Sequence, residues 1–156
     1  MTTETDRTDN PELSGSASSS ANAWEEALIA DLRANGGTPS QGPLAGHPLL
    51  LMWTTGAKTG KKRRSILTYS EQNGDLVVAG TASGAPKDPA WVANVRANPD
   101  VTVEARNETF EATATIAGGA ERDRLWDEHV AQRPWFAEYP AQVGERVIPM
   151  VRLSRS

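Results

Sequence analysis

The sequence predicts an α+β domain in which six strands, mostly antiparallel, form a closed or nearly closed β-barrel with about four helices. Two hairpin signals support the antiparallel pairing. Asn73-Gly74 lies between two apolar runs, and a turn at Asn107 separates two stretches that alternate apolar and polar residues. Helical periodicity outside these hairpins adds the α component. Six strands joined by short turns within roughly 110 residues are typical of a barrel.

The helices are assigned from periodicity, caps and stops. The first follows Asn22 as its N-cap and has one apolar face, formed by Trp24, Ala27, Leu28 and Leu32. Pro89 fits the first turn of the second. The predicted helices cover residues 24–33, 89–96 and 121–131, with a shorter one that begins at residue 134.

The strands follow from apolar runs and period-two alternation. The run that ends at Thr55 is apolar from residue 48 to residue 53, so we expect a strand that is buried on both faces. The six predicted strands cover residues 48–55, 65–70, 76–80, 101–105, 110–116 and 148–153. Residues 1–22 are rich in Ser, Thr, Asp and Glu and too poor in apolar side chains to offset the entropy of ordering them. They are predicted to form a disordered polar tail, and residues 23–156 the single domain.

The composition limits the chemistry that the chain can perform. The 156 residues contain no cysteine and only two histidines, so disulfides, thiolate catalysis and a metal site are not expected. No apolar stretch reaches transmembrane length, and the polar start is unlike a signal peptide, so we expect a cytoplasmic protein. If the protein is an enzyme, a cofactor is expected to carry the chemistry.

A dense group of cations occupies residues 58–64, which we call the cationic segment. Five of its seven residues are basic, namely Lys58, Lys61, Lys62, Arg63 and Arg64, although the chain has a net charge of −4. The remaining 11 basic residues face 20 acidic ones. A local cluster on an acidic protein indicates a local anionic partner such as a phosphate or a carboxylate.

The cationic segment has three other interpretations. A phosphate-binding P-loop does not fit, because only three residues separate Gly56 from Gly60 and a strand follows. Nucleic-acid binders spread cations along a whole face, whereas this chain is acidic elsewhere. A solvated turn without a ligand is the third interpretation.

Two further segments are candidates for a site. Small residues in the loop from residue 81 to residue 88 allow close approach of a planar ligand, or simply connect a strand to a helix with Trp91 as a core anchor. Phe136 and Tyr139 lie on adjacent turns of one helical face. Such an aromatic stripe is more often core than active site, but Tyr139 adds a hydroxyl that can orient a substrate or relay a proton. His129 is expected to be structural or exposed.

Several motifs occur together along the chain. They are Ala34-Asn35-Gly36-Gly37, the run 48–51, Thr54-Thr55-Gly56-x-Lys58-x-Gly60, Ser83-Gly84, Pro89-x-Trp91-x-x-Asn94, Ala97-Asn98-Pro99, Phe136-x-x-Tyr139 and Ile148-Pro149. In this combination the chain resembles the deazaflavin (coenzyme F420)-dependent nitroreductase and quinone reductase family. The resemblance extends from about residue 24 to residue 153.

The resemblance implies a split β-barrel, similar to the barrels that bind flavin mononucleotide, that carries reduced coenzyme F420. That cofactor ends in a phosphate and a polyglutamate tail, so Lys58, Arg63 and Arg64 would pair with its anionic groups. Carried over by motif position, the cofactor-binding residues are Ala57, Lys58, Thr59, Arg63, Arg64, Ser65, Ile66, Leu67, Thr68, Ala79, Gly80, Thr81, Ala82, Ala90, Trp91 and Asn94.

The implied reaction is hydride transfer from reduced F420 to a small conjugated acceptor, either a quinone, an activated enone or a nitro compound. Tyr139 is the predicted catalytic residue, and Trp24, Tyr69 and Phe136 complete the predicted substrate pocket. Members that reduce nitroimidazoles carry three tyrosines where this chain has Arg133, Phe136 and Tyr139. Quinones and enones are therefore the expected acceptors.

Two alternatives to this function stay open. One is an oxidoreductase that uses flavin mononucleotide (FMN) on the same barrel, and the other is a non-catalytic carrier of the cofactor or of a lipid. The long anionic tail of F420 requires more cations than a single phosphate, which favours F420 over FMN. A homodimer is possible, and neither nucleic acid nor stable membrane insertion is expected.

Overall fold

The computed structural model describes residues 19–42 and 44–156, and for residues 19–22 the backbone alone. Its four α-helices are α1 (Ser19–Ala34), α2 (Ala90–Ala97), α3 (Gly119–Gln132) and α4 (Tyr139–Gln142), and short 3₁₀ helices cover Ala82–Gly84 and Pro134–Glu138. The strands are β1 (Leu49–Thr55), β2 (Lys62–Thr68), β3 (Ser70–Gln72), β4 (Asp75–Ala79), β5 (Asp100–Ala105), β6 (Glu108–Ile116) and β7 (Met150–Arg155).

The strands of the described residues form one antiparallel sheet in the order β2-β1-β5-β6-β7-β4-β3. Its two edge strands, β2 and β3, are separated in the chain by Tyr69 alone. Two edges that are one residue apart in the chain must lie side by side, so the sheet curls until it nearly closes. This confirms the predicted α+β class and the split barrel with its four helices.

The number of strands differs from the predicted six. The segment predicted as one strand, residues 65–70, begins earlier, at Lys62, and is divided at Tyr69 into β2 and β3. Its first part pairs with β1 and its second part with β4. Tyr69 belongs to neither strand, and the pairing partner changes there from β1 to β4.

The first strand separates the interior of the barrel from a helix outside it. Leu50 and Met52 belong to the barrel core, whereas Leu49 and Leu51 pack against Ile29 and Leu32 of α1. All four β1 residues from 49 to 52 are buried, as predicted for a strand covered on both faces. Helix α1 therefore covers the outer face of β1.

The predicted description of α1 was wrong in two respects. The helix begins at Ser19, so Asn22 lies in its first turn instead of capping it. Its buried residues are Ile29 and Leu32, whereas Trp24 and Ala27 are exposed, because the helix sits rotated toward Ile29. The predicted tail boundary at residue 22 thus falls inside the helix, and residues 1–18 of that tail lie outside the described residues.

Local signals placed the turns and the second helix correctly. Asn73 and Gly74 have φ angles of 52° and 85°, as a two-residue hairpin turn of type I′ requires, and β5 and β6 turn at Arg106-Asn107. Helix α2 follows Pro89 and ends before Asn98-Pro99. Among the described residues, no helix combines the length and the apolar character needed to cross a membrane.

Candidate functional site

The loop between β1 and β2 is a tight turn that carries the first cations. The N–H of Gly56 donates to the carbonyl of Lys61 over 2.7 Å, and the N–H of Gly60 donates to the carbonyl of Gly56 over 2.9 Å. A Cβ on residue 56 would lie 2.7 Å from the Thr59 hydroxyl oxygen and 3.2 Å from the Lys61 carbonyl oxygen, so a larger residue would require this turn to shift. Ala57, Lys58 and Thr59, all predicted to bind the cofactor, are exposed on this turn.

A buried amide fixes this loop to the rest of the barrel. Asn94 of α2 accepts a hydrogen bond from the Ala57 N–H over 2.9 Å and donates one to the Thr54 hydroxyl over 3.1 Å. Asn94 is 8% exposed and Thr54 is fully buried. Asn94, a predicted cofactor residue, therefore holds the backbone of the turn that carries Lys58.

The alternation of β2 divides the two arginines of the cationic segment. Arg64 lies opposite Trp53 and Arg63 opposite Thr54, so their side chains project from opposite faces of the sheet. Arg64 lies on the face covered by α1, where its guanidinium forms ion pairs with Glu25 at 3.0 Å and Glu26 at 3.1 Å. The structure thus gives Arg64 two carboxylate partners from the protein itself, which sequence analysis did not foresee.

Lys58 and Arg63 differ from Arg64 in their surroundings. Both are exposed, and none of the ion pairs formed between described residues includes them. Arg63 shares the face of Thr54, whose hydroxyl is bound by Asn94. The cationic segment therefore offers Lys58 and Arg63 to an external anion, next to the anchored turn.

The rest of β2 is half-buried on both faces. Ile66 packs against the α1 cluster, whereas Leu67 packs against the barrel core. Ser65 and Thr68 are also only half-buried, although they lie within the strand. These four predicted cofactor residues thus leave accessible surface on the strand that continues from Arg63.

Residues 80–88, which include the predicted cofactor residues Gly80, Thr81 and Ala82, are held by one side chain, and we call them the clamped turn. Arg146 donates hydrogen bonds to the carbonyls of Gly80 at 2.8 Å, Thr81 at 2.7 Å and Ala85 at 2.9 Å. The same guanidinium contacts the Asp88 carboxylate at 2.6 Å, and its side chain is only 10% exposed. Arg146 was not predicted as a site residue.

The backbone of the clamped turn is unusual. Ala82, Ser83 and Gly84 have φ angles of 51°, 55° and 88°, all in the left-handed region. Residues with a Cβ adopt this region at a cost, and such residues persist only where their surroundings hold them. The structure therefore maintains a conformation here that Ala82 and Ser83 would not choose alone.

Close contacts join the clamped turn to both neighbouring helices. A Cβ on Gly80 would lie 3.0 Å from the Val92 side chain of α2, and a Cβ on Gly84 would clash with Gln142 of α4. The turn therefore lies between α2, which carries Asn94, and α4, which begins at Tyr139. Of the other predicted residues in this region, Ala79 and Trp91 are buried and Ala90 is exposed.

Tyr139 belongs to an aromatic group on the side of the barrel formed by α3 and the two short helices after it. Its ring centroid lies 5.2 Å from that of Phe136, and Phe136 lies 4.5 Å edge-on from His129. Burial raises the pKa of the Tyr139 phenol above its usual value of 10.0. Tyr139 is therefore neutral near pH 7 and can donate a hydrogen bond.

His129 was expected to be either structural or exposed, and its position in the structure is structural. It is fully buried, and its Nδ1 lies 2.7 Å from the hydroxyl of buried Ser70. Burial lowers the pKa of His129 to about 3, with a smaller contribution from the positive charge of Arg133. The ring is thus neutral and packs beneath Phe136.

The structure does not bring all four predicted pocket residues together. Tyr69 is 1% exposed in the barrel core, which gives it a packing role, and burial raises its pKa. Trp24 is 64% exposed on α1, next to the Glu25 and Glu26 that bind Arg64. Only Phe136 and Tyr139 touch each other among these four.

The fold and these contacts describe a split-barrel protein with an exposed cationic turn and, on the side formed by α3 and the short helices after it, an aromatic group that contains a neutral tyrosine. The chain matches the family described as F420H(2)-dependent quinone reductase over residues 26–154, and it belongs to that family. The predicted family resemblance is thereby confirmed, and with it the assignment to oxidoreductases that use reduced coenzyme F420.

Individual relatives agree with the family assignment. The chain is 35% identical over 113 residues to an F420H(2)-dependent quinone reductase of Mycobacterium tuberculosis, a match that covers 69% of this chain and 74% of the relative. A solved F420-H2-dependent reductase, FDR-A, is 38% identical, with a TM-score of 0.62, over 69% of this chain and 94% of its own. A structure described as a domain-swapped dimer is 34% identical, with a TM-score of 0.64, over 87% of this chain and all of its own.

Proposed function

We propose that this protein reduces a small conjugated acceptor, either a quinone, an activated enone or a nitro compound, with reduced coenzyme F420 as the hydride donor. The observation that carries the proposal is the anchored cationic turn: Asn94 fixes the backbone at Ala57, and Lys58 and Arg63 extend from the same region. The family and the named relatives support the choice of cofactor.

The donor set of the protein fits the chemistry of F420. A phosphate and a chain of carboxylates need cations that the protein does not neutralise itself, and Lys58 and Arg63 form no ion pair with any other described residue. Arg64 is left out of this set because Glu25 and Glu26 hold it. Ala57 and Thr59, with Ser65 and Leu67 on the Arg63 face of β2, would line the surface beside these charges, whereas Ile66 and Thr68 lie on the Arg64 face.

When bound, the reduced deazaflavin supplies the hydride, so the protein has to position and orient the reactants. The clamped turn provides a rigid backbone surface between α2 and α4 on which Gly80, Thr81 and Ala82 can contact the cofactor closely. Val92 and Pro149 pack closely against Gly80 and restrict movement of its backbone.

Tyr139 is proposed to orient the acceptor by donating a hydrogen bond to its oxygen. A neutral phenol stabilises the negative charge that develops on a quinone or enone oxygen during reduction. Phe136 packs against the Tyr139 ring, and His129 supports Phe136 from below. Arg133 stands where the members that reduce nitroimidazoles are expected to carry a tyrosine, so it gives no second phenol. Its presence favours quinones and enones over bulky nitroimidazoles as acceptors.

The two alternatives make different demands on the site. An FMN enzyme needs cations for one phosphate only, and nothing in the comparisons favours FMN over F420. A carrier would bind the cofactor without turning it over. Homodimer formation is proposed on the analogy of the relative described as a domain-swapped dimer and is checked by the mass of the protein in solution. The cytoplasmic location stays a prediction.

Turnover of the reduced cofactor tests the proposal. Purified protein is mixed anaerobically with reduced F420 and a small benzoquinone, a cyclic enone or a nitroaromatic compound, and cofactor oxidation is followed by its absorbance. We expect oxidation that depends on enzyme and acceptor, with the quinone or the enone reduced faster than the nitro compound. Tight binding without oxidation by any acceptor would instead indicate a carrier.

A further inference from the structure

The strongest unexplained feature of the molecule is the side chain of Arg146. A nearly buried guanidinium donates to the backbone carbonyls of Gly80, Thr81 and Ala85 and pairs with Asp88, all 58 to 66 residues earlier in the chain. These four acceptors exceed the three N–H groups of a lysine, whereas the planar fork of five N–H groups in arginine can serve all of them.

These carbonyls frame the only run of three consecutive left-handed residues in the described ranges, Ala82 to Gly84. The turn has two backbone hydrogen bonds of its own, from Gly84 to Thr81 and from Ala85 to Ala82. Arg146 takes the carbonyls of Thr81 and Ala85, so it closes the same turn from outside. Strained residues held in this way are concentrated where a protein needs a particular backbone shape for a ligand.

We propose that Arg146 is a positioning residue for the cofactor: it maintains the left-handed turn at residues 82–84 in its binding shape and thereby pre-organises the site for F420. This inference rests on the proposed function. Without Arg146, binding would have to order the turn, and the lost conformational entropy would be subtracted from the affinity.

The position of Arg146 in the chain, close to α4, supports a role in the site over one in global stability. Arg146 follows α4 by four residues, and α4 carries both Tyr139 and the Gln142 that packs on Gly84. One guanidinium therefore fixes the turn relative to the segment that bears the proposed catalytic tyrosine.

The test compares Arg146→Lys with two matched variants. Arg146→Lys keeps the positive charge beside Asp88 but lacks the fork. Asp88→Asn removes the ion pair and leaves the three carbonyl bonds. Arg122→Lys alters another arginine of similar burial, which donates to the Ile148 carbonyl 3.0 Å away but does not reach the turn.

Two measurements are made on each protein. Hydrogen exchange of the amides of residues 81–85 is recorded without cofactor, and the dissociation constant of F420 is measured by quenching of tryptophan fluorescence. For Arg146→Lys we expect faster exchange confined to the turn and about tenfold weaker F420 binding, since bonds from a charged donor are lost. The KM for the acceptor should change less than the KM for F420, Asp88→Asn should lose clearly less F420 affinity than Arg146→Lys because the three carbonyl bonds remain, and Arg122→Lys should stay near the wild type.

Unchanged exchange and unchanged F420 affinity in Arg146→Lys would overturn the proposal, and so would an equal loss in Asp88→Asn. Faster exchange throughout the barrel would show a general structural role and would also contradict it. A wild-type protein that does not bind F420 would refute the proposed function instead, and the exchange measurement would still decide whether Arg146 holds the turn.

Discussion

The cationic segment and the clamped turn differ in where their positive charges point. In the cationic segment the chain is exposed and charged, and its backbone is fixed at one point by Asn94. In the clamped turn the charge of Arg146 is turned inward onto backbone carbonyls. The first region offers side chains to an anion, whereas the second offers a rigid backbone surface. We therefore expect the contribution of each arginine to cofactor binding to depend on its existing partners. Arg63 is exposed, Arg64 is paired with two glutamates, and Arg146 is bound to backbone carbonyls.

The largest expected effect separates Lys58 and Arg63, which have no ion-pair partner among the described residues, from the paired Arg64. Lys58→Ala combined with Arg63→Ala should weaken F420 binding about 100-fold, because two charge-assisted contacts are lost. Arg64→Ala should change the dissociation constant by less than about threefold, since Glu25 and Glu26 already satisfy its charge. Isothermal titration measures both.

Arg124→Ala, an exposed arginine on α3, is the charge-matched control for these variants. Equal losses in Arg64→Ala and in the double variant would show that the alternation of β2 does not separate the arginines functionally.

Removing the Tyr139 hydroxyl tests its proposed role in orienting the acceptor. Tyr139→Phe should lower kcat/KM for a quinone about tenfold and leave F420 affinity unchanged, because only the hydrogen bond to the acceptor is lost. Burial raises the pKa of this phenol above 10.0, so the hydrogen-bond donor stays protonated and the rate should not fall with rising pH until that value is passed. A fall in rate near neutral pH that disappears in Tyr139→Phe would contradict this assignment.

Asn94 is the point at which the cationic segment depends on the barrel. Asn94→Ala leaves the Ala57 N–H and the buried Thr54 hydroxyl without their partner, which should lower the free energy of unfolding by about 2 kcal/mol. Urea denaturation measures the loss. F420 binding should weaken as well, since the turn that carries Lys58 is released; a destabilised variant with wild-type affinity would show that the turn does not need this anchor.

The smallest expected effect concerns the support beneath Phe136. His129 stays neutral in the folded protein down to about pH 3, whereas in the unfolded chain it takes up a proton below 6.5. Acid therefore favours the unfolded state, and the free energy of unfolding should fall by about 1.6 kcal/mol between pH 6.5 and pH 5 from this group alone. Denaturation of His129→Asn, which cannot be protonated, should show a correspondingly smaller loss; identical pH profiles would exclude His129 as the cause.

Local patterns predicted most of the fold. Asn73-Gly74, Pro89 and the alternation on either side of Asn107 placed two hairpins and α2, because each acts through its immediate neighbours. The break at Tyr69 could not be predicted, since it marks a change of pairing partner from β1 to β4, and both of those strands are distant in the chain from at least one part of this segment.

The site was predicted less completely, for the same physical reason. The partners of Arg64 are carboxylates 38 and 39 residues away, and most of the acceptors of Arg146 are backbone carbonyls, which every residue possesses and which leave no trace in a sequence. The alternation of a strand beginning at Lys62 would have separated Arg63 from Arg64. The prediction began that strand at residue 65 and missed this signal.

Parallel titrations of the wild-type protein with F420 and with FMN test the central claim most directly, with the fluorescence of the five tryptophans as the signal. The account predicts tight binding of F420 that weakens as salt is added, because cations meet an anionic phosphate and tail, and much weaker binding of FMN. Equal or tighter binding of FMN, or F420 binding that salt does not affect, would contradict it.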